Sequence, residues 1–499
     1  MFVVWIAAIV LLILLVLTAG VMLKMHGNGG SNNPKTSSQT SKKVVLVVGS
    51  GLAGMTTALH AADKYGLQVV LLEKNSFVGG NSAKASSGIN ADSDHKGFLK
   101  DTLKSCGDDA VNHIKITRLV QDSERALQWL ISKGVALDQT VQLGGHSSAR
   151  THRSESYMAI GAEIISRLKK LVYDHPNILV QTNCDVVDVD LTNKTVYTST
   201  ESIYKGDFLV FATGGFAAKT KHKFTTNGSW ATGDMMALLA KKGAELTGMD
   251  QVQIHPTAFV DPSDINNPTK HLAAEILRSV GGHLLHKVTH ERFCDELGTR
   301  KHIVEQMQKQ EGQTDFLLVV PAAEYHKASK HLDYYTHKGL MTRIEDFEHY
   351  GDVFVGTVAP AAHYTMGGVL TNDVGQLVDT DQNILFGGDV YAVGEVSGGL
   401  HGDNRLGGNS LLECVVFGLY CVDHFMSAAI SVTDVSRHNT LEDTWVIISG
   451  KVYKIPPALT KEHPGDVFPQ YSGRDVTDLF MNMHGEGMLR ELVLLGDLK

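Results

Sequence analysis

The sequence predicts an α/β protein, and three consecutive patterns near residue 50 carry that prediction. VVLVV at 44–48 is a β-branched apolar run, typical of a buried strand. Residues 53–65 have the amphipathic spacing of a helix, and QVVLLE at 68–73 predicts a second strand. A strand, a helix and a strand in this order are the usual start of a parallel sheet covered by helices.

The composition fits a large globular chain and excludes several classes of protein. Of the 499 residues, 43% are hydrophobic and 20% are charged, which is too little charge for a largely disordered chain. The net charge is −9 and no dense run of Lys or Arg occurs, so no nucleic-acid partner is expected. The five cysteines are scattered and form no CxxC pair, which argues against a disulfide framework or a zinc ribbon.

Residues 1–24 predict a transmembrane anchor. Phe2 to Leu23 form a run of 22 residues without a charge or a proline, and about 20 apolar residues suffice for a helix to cross a bilayer. A cleaved signal peptide is the alternative, although no Lys or Arg precedes the run. The lysines that follow the run predict that its C-terminal side is cytosolic. The endoplasmic reticulum and the mitochondrial membrane are both compatible with such an anchor. Residues 25–42 read as a flexible linker.

The turn between the first strand and the helix reads GSGLAG, the spacing of a dinucleotide-binding loop. Gly49 would make the turn, Gly51 would let the backbone approach a pyrophosphate, and Gly54 would allow close helix–strand packing. Glu73 follows Gly54 by 19 residues, where a carboxylate can accept hydrogen bonds from an adenosine ribose. A glycine-rich turn without a ligand is the alternative.

Two further segments are rich in small residues. GGNSAKASSGIN (79–90) predicts backbone that lies along a flavin ring, and a flexible surface loop is the alternative. DFLVFATGGF (207–216) predicts a strand followed by another turn at the flavin edge.

Seven motifs between residues 43 and 430 occur together: GSGLAG, GGNSAKASSGIN, VFATGGF, TTNGSWATGD, VQIHPT, AAHYTMGGV and YAVGEVSGGLHGDNRLGGNSL. In this combination the chain resembles the flavoprotein subunits of fumarate reductases and succinate dehydrogenases, and most of all the soluble single-chain fumarate reductases. The resemblance implies a Rossmann-like FAD-binding domain with an inserted α+β capping domain at about 235–360. No histidine stands in SSGIN, where the membrane-bound relatives link their flavin, so FAD is expected to be noncovalent. The residues implied to contact it are Gly49, Gly51, Gly54, Glu73, Asn81, Ser82, Ser87, Gly88, Asp234, Glu395, Ser410 and Leu411.

The same resemblance implies a site that reduces a dicarboxylic alkene. Such a site needs groups that hold two carboxylates and an acid that protonates the carbon opposite hydride delivery. The implied substrate-binding residues are His255, His363 and Arg405, and the implied catalytic residues are the proton donor Arg300 with its relay partners Glu275 and Arg278.

The segment that would carry the relay, KHLAAEILRSVGG at 270–282, is predicted to be a helix. Glu275 and Arg278 are three residues apart and would therefore lie on one face. An exposed surface ion pair is the alternative reading of these two residues.

Three departures from the family pattern bear on this expectation. Ala274 stands where the family commonly has threonine, and Lys301 where it has aspartate beside the proton-donating arginine. The stretches Arg300 to His363 and Phe216 to Thr225 are short for the family. Because a cap excludes water from the site, a shortened one would lower activity, change the substrate or mark a degenerate copy.

Residues 434–499 predict a small second domain of α+β type. WVIISGKVY indicates two strands joined by a turn, and two histidines follow, 21 residues apart. TW, GKVY, EHPG, SGRDVT and the final MH occur in the order of the cytochrome b5 haem-binding domain, which this segment resembles. The resemblance implies that His463 and His484 ligate the iron of haem b; two unrelated surface histidines are the alternative. Asp466 replaces a glycine of the family's HPGG and would loosen haem or prevent its binding.

The expected function is a membrane-tethered, FAD-dependent reduction of fumarate to succinate, with electrons supplied through the haem. An NADH-linked cytochrome b5 reductase would suit as the electron donor, because this chain has no second nucleotide-binding fingerprint. The alternatives are a related FAD enzyme acting on another unsaturated acid or ketone, and a non-catalytic electron-transfer protein with an eroded cap.

Overall fold

A computed structural model describes residues 43–107, 112–155, 158–427, 432–440, 443–456, 459, 471 and 473–498. The described strands are β1 (Val44–Val48), β2 (Gln68–Leu72), β3 (Ile89–Asn90), β4 (Gln139–Val141), β5 (Thr151–Arg153), β6 (Ile178–Gln181), β7 (Val186–Asp190), β8 (Thr195–Thr198), β9 (Ile203–Lys205), β10 (Phe208–Phe211), β11 (Leu246–Thr247), β12 (Val252–Phe259), β13 (His271–Leu272), β14 (His283–His286), β15 (Phe316–Pro321), β16 (Thr342–Ile344), β17 (Val353–Thr365), β18 (Gly368–Val369), β19 (Val390–Ala392), β20 (Asn439–Thr440), β21 (Asp443–Ile448), β22 (Lys451–Ile455) and β23 (Val493–Asp497).

The α-helices of the same residues are α1 (Leu52–Tyr65), α2 (His95–Cys106), α3 (His113–Gln121), α4 (Ser123–Ser132), α5 (Ile160–Asp174), α6 (Asp234–Lys241), α7 (Ile276–Ser279), α8 (Arg300–Gln308), α9 (Tyr325–His337), α10 (Asn409–Met426), α11 (Val432–Arg437) and α12 (Thr477–His484).

A parallel sheet in the order β19-β10-β1-β2-β6 forms the centre of the flavin-binding region. Its strands are short apolar runs because both faces are covered. Helices α1, α5 and α10 pack on one face through residues such as Leu52, Ile164 and Val415. The small sheet β7-β8-β9 and helix α6 contribute to a second apolar cluster on the other face. The predicted strand at 44–48 and helix over 53–65 are confirmed, as is the α/β class.

An antiparallel sheet forms the inserted region. Its strand order is β13-β12-β17-β15-β14, with β16 paired to β17. Helices α7, α8 and α9 supply residues such as Leu277, Ile303 and Leu332 to its apolar core. This region, called the cap below, therefore has its own core, and its strands β12 and β17 carry His255 and His363 at the flavin side.

The helix predicted over 270–282 is wrong in its extent. His271 and Leu272 pair with β12, so the chain is extended there, and the helix is a single turn, α7. Glu275 precedes that turn, and the backbone closes behind it so tightly that a Cβ on Gly282 would lie 2.2 Å from the Leu277 carbonyl oxygen. The shared face is nevertheless formed, since Glu275 and Arg278 lie 3.4 Å apart.

The C-terminal segment folds around the antiparallel sheet β20-β21-β22-β23. The predicted strand–turn–strand is confirmed as β21 and β22, which are joined at Ser449 and Gly450. Val446, Ile448 and Tyr453 form a small core with Phe480 of α12.

The predicted anchor and linker, residues 1–42, lie outside the described residues. Among the residues that are described, no helix combines the length and the apolar character needed to cross a membrane. The anchor therefore stays a prediction.

Candidate active site

The loop after β1 forms one end of a long cleft. Gly49 has φ +101°, and a Cβ there would lie 2.4 Å from the Ala212 carbonyl oxygen, so only glycine fits. A Cβ on Gly54 would lie 1.9 Å from the Gly49 oxygen, which explains the predicted close packing of helix on strand. Gly51 is the N-cap residue of α1 and borders the cleft, and because it has no side chain it makes no capping hydrogen bond of its own. The N-terminal end of α1 is therefore suited to a pyrophosphate.

Glu73 is fixed at the end of β2 by four hydrogen bonds. Its Oε2 accepts from the amide of Ser50 at 3.1 Å and from Ser50 Oγ at 2.5 Å. Its Oε1 accepts from the amide and the Nδ2 of Asn75 at 2.9 and 2.8 Å. The carboxylate is thus held in one orientation at the edge of the cleft, as ribose recognition requires.

The cleft brings almost all the predicted site residues together. It contains about 1590 Å³ of empty space, part of it open to solvent. Arg278 and Glu275 lie outside its wall, as does Gly54, which acts only through packing. The predicted residues that line it are Gly49, Gly51, Glu73, Asn81, Ser82, Ser87, Gly88, Asp234, Glu395, Ser410, Leu411, His255, His363, Arg300 and Arg405.

Several polar side chains of the cleft are already held by neighbours. Leu52 donates its amide to Ser82 Oγ at 3.2 Å, and Asp234 is paired with Lys74 at 2.6 Å. Glu395 accepts from the amide and the hydroxyl of Thr365 at 2.9 and 3.1 Å. Burial raises the pKa of Glu395 to about 7.

His255 and His363 lie side by side at the other end of the cleft, with ring centroids 5.2 Å apart. His255 Nδ1 lies 3.0 Å from the carbonyl oxygen of Thr257, and His363 Nδ1 lies 2.7 Å from Thr226 Oγ1. Burial lowers the pKa of both imidazoles well below the usual value, and the nearby charge of Arg300 adds to this. Both rings are therefore neutral near pH 7 and act as hydrogen-bonding groups, not as cations.

Arg405 is buried, with a relative exposure of 3%. Its guanidinium donates to neutral oxygens: Gln253 Oε1 at 3.0 Å and Ser410 Oγ at 3.2 Å. It also lies over the ring of Tyr364, 4.7 Å from the centroid. Its Nε has no hydrogen-bond partner among the described residues, and none of their carboxylates pairs with it. Burial lowers the pKa of Arg405 to about 10, so the side chain stays charged at neutral pH with capacity for an anion.

Arg300 lies at the start of α8 in a different electrostatic setting. Its Nη2 donates to Glu275 Oε2 at 2.8 Å, and its Nη1 donates to Gln253 Oε1 at 2.8 Å. Arg278 approaches the other oxygen of Glu275 at 3.4 Å. Although burial opposes ionisation, the two arginines lower the pKa of Glu275 to about 2. The predicted trio is thus in contact, and it is buried and not the exposed ion pair of the alternative reading.

Gln253 is a site residue that the sequence argument missed. Its single Oε1 accepts from both Arg300 and Arg405, so it spaces the two guanidinium groups. It stands two residues before His255 on β12, and side chains two apart on a strand share a face. That periodicity could have identified it.

A second missed feature is a buried polar network behind Arg405. The Tyr364 hydroxyl donates to Glu413 Oε1, and His401 Nε2 lies 3.0 Å from Glu413 Oε2. The three residues come from β17, the loop before Arg405 and α10, so no sequence motif connects them.

Ala274 and Lys301, the two residues that depart from the family pattern, each contact a neighbouring side chain. Ala274 is buried, and its amide donates to the hydroxyl of Tyr335 at 3.0 Å. Lys301 turns to the surface and pairs with Asp403 at 3.1 Å, with both side chains more than half exposed. The reversed charge next to Arg300 is therefore compensated outside the cleft.

In the C-terminal domain, His484 ends α12 and its ring lies 5.3 Å from that of Phe480. The other predicted haem ligand, His463, and the substituted position Asp466 lie outside the described residues. The haem ligand set stays a prediction.

Comparison with known families agrees with this layout. An FAD binding domain model matches residues 44–411, and a cytochrome b5-like heme/steroid binding domain model matches residues 431–499. These matches confirm FAD and haem as the cofactors to which the two domains are suited.

Similar proteins and structures carry related names. Fumarate reductase 1 of Saccharomyces cerevisiae is 38% identical over 456 residues, covering 75% of this chain and 96% of the yeast protein. Fumarate reductase of Schizosaccharomyces pombe is 33% identical, covering 75% and 87%. The open conformation of a flavocytochrome c3 fumarate reductase superimposes with a TM-score of 0.65 at 27% identity, covering 79% of this chain and 81% of that one. The chain belongs to the flavoprotein family of fumarate reductases and succinate dehydrogenases, FAD-dependent oxidoreductases of the CH–CH group, and carries a cytochrome b5-like domain at its C-terminal end.

Proposed function

We propose that this chain reduces fumarate to succinate. The observation that carries the proposal is a pair of buried arginines at the end of the FAD cleft, one paired with a carboxylate and the other free to accept one. Bound FAD, held noncovalently, would supply the hydride to one carbon of the alkene. The rest of the reaction falls to side chains of this chain.

Arg405 would bind a carboxylate of the substrate. Its planar guanidinium is charged, buried and without an ionic partner in the described residues, so a substrate carboxylate would remove an electrostatic deficit. The neutral imidazoles of His255 and His363 would hydrogen-bond the second carboxylate. A dicarboxylate fits this set better than a neutral ketone, which would leave the charge of Arg405 uncompensated.

Arg300 would donate the proton to the second alkene carbon. An isolated arginine is a poor acid, because its pKa exceeds about 12. Here the Nη2 of Arg300 contacts Glu275, so the lost proton can be replaced within one hydrogen bond. Arg278 would hold Glu275 in place from the other side.

The C-terminal domain would supply electrons. His463 and His484 would hold haem b, which would supply one-electron transfer there, and an NADH-linked cytochrome b5 reductase would be the donor. The anchor at 1–24 would place the enzyme on an endoplasmic reticulum or mitochondrial membrane with its catalytic region on the cytosolic side. Support for the haem comes from the match to the heme/steroid binding model.

The shortened cap is the reason for considering the alternative, a non-catalytic electron-transfer protein with an eroded cap. The match to the yeast protein extends over 456 positions yet occupies 75% of this chain, so this chain is the shorter of the two within the matched region. The cap retains a six-stranded sheet and a buried core, which supports an active site that excludes water.

An anaerobic assay of reduced methyl viologen oxidation, with and without fumarate, tests the proposal. We expect oxidation that depends on fumarate and produces succinate. Crotonate, a monocarboxylic alkene, and a steroid enone should be poor substrates. Turnover of either in preference to fumarate would favour the related-enzyme alternative, and failure with all three would favour the non-catalytic one. Arg343→Met is a matched control, because this arginine is on the surface of the cap and should not affect the rate.

A further inference from the structure

An ion pair joins the C-terminal domain to the flavin-binding region. Lys451 is the first residue of β22, and its Nζ lies 3.2 Å from Asp373 Oδ2. Asp373 lies in the loop 370–376 after β18, called the Asp373 loop below, and its Oδ2 also accepts from Arg118 Nη2 of α3 at 2.7 Å. The carboxylate therefore contacts two cations, one from its own region and one from the C-terminal domain.

Asp373 does not depend on the C-terminal domain to balance its charge. Arg118 lies over the ring of Tyr420 of α10, with its guanidinium carbon 3.8 Å from the centroid, so this cation is held within the flavin-binding region. Although burial opposes ionisation, Lys451 and Arg118 together hold the pKa of Asp373 below its usual value. If Lys451 leaves, Arg118 still compensates the carboxylate, so separation leaves no buried charge without a partner.

In the part of the chain that the structure describes, no apolar cluster extends across the two domains. The cores of the C-terminal domain are built from its own side chains, such as Val446 with Ile448 and Val435 with Val452. The clusters of the flavin-binding region and the cap contain no described residue beyond Met426. Domains joined by a small polar interface are expected to move relative to each other, whereas a large hydrophobic interface would hold them fixed.

The Asp373 loop is hydrogen-bonded to the wall of the FAD cleft. Thr371 Oγ1 lies 2.8 Å from Ser397 Oγ, and the buried Lys115 donates its Nζ to these two oxygens at 2.7 and 3.0 Å. Ser397 follows by two residues Glu395, which lines the cleft. The C-terminal domain therefore contacts a loop that is fixed to a segment of the cleft wall.

On the other side of the contact, Lys451 follows a turn that is fixed to a helix. The amide of Ser449 in this turn donates to Thr477 Oγ1 at 2.6 Å. Thr477 is the first residue of α12, and α12 ends at His484, one of the two predicted haem ligands. The ion pair with Asp373 thus connects the helix of a predicted haem ligand to the loop beside the flavin cleft.

We propose that Asp373 is a docking point for the C-terminal domain, which Lys451 occupies reversibly. When docked, the domain suited to haem lies against the loop beside the FAD cleft. When released, it is free to meet the reductase proposed as the electron donor. The purpose of docking rests on the proposed electron supply, but docking itself can be measured without turnover.

Chemical labelling of lysine amines in the full-length, cofactor-loaded protein tests the docking point. The protein is treated briefly with an acetylating ester, and labelling of Lys451 and Lys454 is measured by mass spectrometry. Lys454 is the matched control, because it lies on the same strand but pairs with Asp443 of its own domain at 2.8 Å. In Asp373→Asn, we expect labelling of Lys451 to become about two- to fivefold faster, the range that a partly exposed ion pair contributes to an equilibrium, and that of Lys454 to stay unchanged.

A salt series tests whether docking is reversible. Raising the salt from about 0.1 M to about 1 M shortens the screening length from about 10 Å to about 3 Å and should release the domain. We expect Lys451 of the wild type then to approach its reactivity in Asp373→Asn. Lys454 should respond less, because Asp443 stays beside it on the paired strand β21 even when the charges are screened.

The outcomes separate docking, a permanent contact and the reaction. Equal labelling of Lys451 in wild type and Asp373→Asn would overturn the docking point. Protection of Lys451 that persists at high salt in the wild type but is lost in the variant would reject reversible docking. If Asp373→Asn does not fold, the wild-type salt series decides alone, and equal responses of Lys451 and Lys454 would overturn the proposal. None of these results involves fumarate, so failure to reduce fumarate would reject the proposed function and leave the docking point intact.

Discussion

The candidate site has two walls, one from the cap and one from the flavin-binding region, and each contains a buried arginine. The surroundings of the two charges differ. On the cap wall, Arg300 is paired with Glu275, which is itself held by Arg278. On the flavin-domain wall, Arg405 hydrogen-bonds to neutral oxygens and lies over an aromatic ring, and no carboxylate of the described residues forms an ion pair with it, although Glu413 and Glu395 are near enough to favour its charge. Gln253 contacts both through one oxygen and keeps them apart.

The difference shows how one residue type can serve two roles. A buried charge without an ionic partner is costly in the empty protein, and a bound anion relieves that cost. A buried charge already in contact with a carboxylate gains less from a second anion, but it can exchange a proton with its partner. This difference is the basis of the proposal that Arg405 binds the substrate and Arg300 donates the proton.

Arg300→Met should have the largest effect. The variant removes the proposed acid, so reoxidation of the reduced enzyme by fumarate should slow by about 10²–10⁴-fold, while the spectrum of bound FAD stays intact. Stopped-flow absorbance measures this directly, with Arg343→Met as the control. A wild-type rate in Arg300→Met would remove Arg300 from the role of acid.

Arg300→Met and Arg405→Met should also differ in how much they lower the free energy of unfolding. Arg300→Met leaves the buried Glu275 with Arg278 alone, and breaking a buried ion pair in this way costs about 3–5 kcal/mol. Arg405→Met leaves no described carboxylate unpaired, so it should cost much less. Thermal unfolding of the two variant holoenzymes measures this difference in stability. Equal losses would mean that Arg300 and Arg405 do not differ in how their charges are compensated.

Arg405→Met should act on substrate binding. Loss of a charge-assisted hydrogen bond is worth about 1.5–3 kcal/mol, which raises the half-saturation for fumarate by about 10–100-fold. Arg405→Lys should restore only part of it, because an ammonium cannot make the bidentate contact. The measurement is the fumarate concentration dependence of flavin reoxidation. A lower limiting rate at unchanged half-saturation would place Arg405 in the chemical step and erase the distinction between the walls.

Glu395 should give a pH dependence of stability on the flavin side. Its folded pKa is raised to about 7 from the ordinary 4.5, so its protonated form is favoured in the fold. The groups that face it are Thr365, which donates two hydrogen bonds, and the charged side chains Glu413 and Arg405. The contribution of protonated Glu395 to the free energy of unfolding is therefore fully present below about pH 4.5 and is lost as the pH rises through about 7.

Thermal unfolding of wild type and Glu395→Gln across this window tests the sign. Because glutamine cannot ionise, the advantage of wild type over the variant should shrink as the pH rises from 4.5 to 7 and then level off. Parallel pH curves for the two proteins would show that Glu395 does not titrate there.

The flavin side of the site could be predicted in detail because its signals are local. The strand at 44–48 and the glycine turn are where the sequence places them, and the helix begins at Leu52, one residue from the predicted start. The tight turn at Gly49 and the contact at Gly54 depend on neighbours close in sequence or on one facing loop. Short-range sterics of this kind are readable from residue type and spacing.

The cap side could be predicted only in part, because its structure depends on distant pairing. The helix expected over 270–282 is one turn, since His271 and Leu272 are drawn into a sheet with β12. The network of Tyr364, Glu413 and His401 joins three separate elements and leaves no local pattern. Glu275 also lines a second, smaller cavity together with Asp101 of α2. That arrangement likewise depends on how the cap lies against α2.

A single-turnover experiment tests the central claim most directly. Holoenzyme is reduced anaerobically, freed of excess reductant and mixed with fumarate, and the oxidised flavin spectrum and the product are followed together. We predict full return of oxidised FAD with one succinate formed per flavin, and no return with buffer alone. Flavin that stays reduced in excess fumarate, or that reoxidises without forming succinate, would contradict the proposal that this chain is a fumarate reductase.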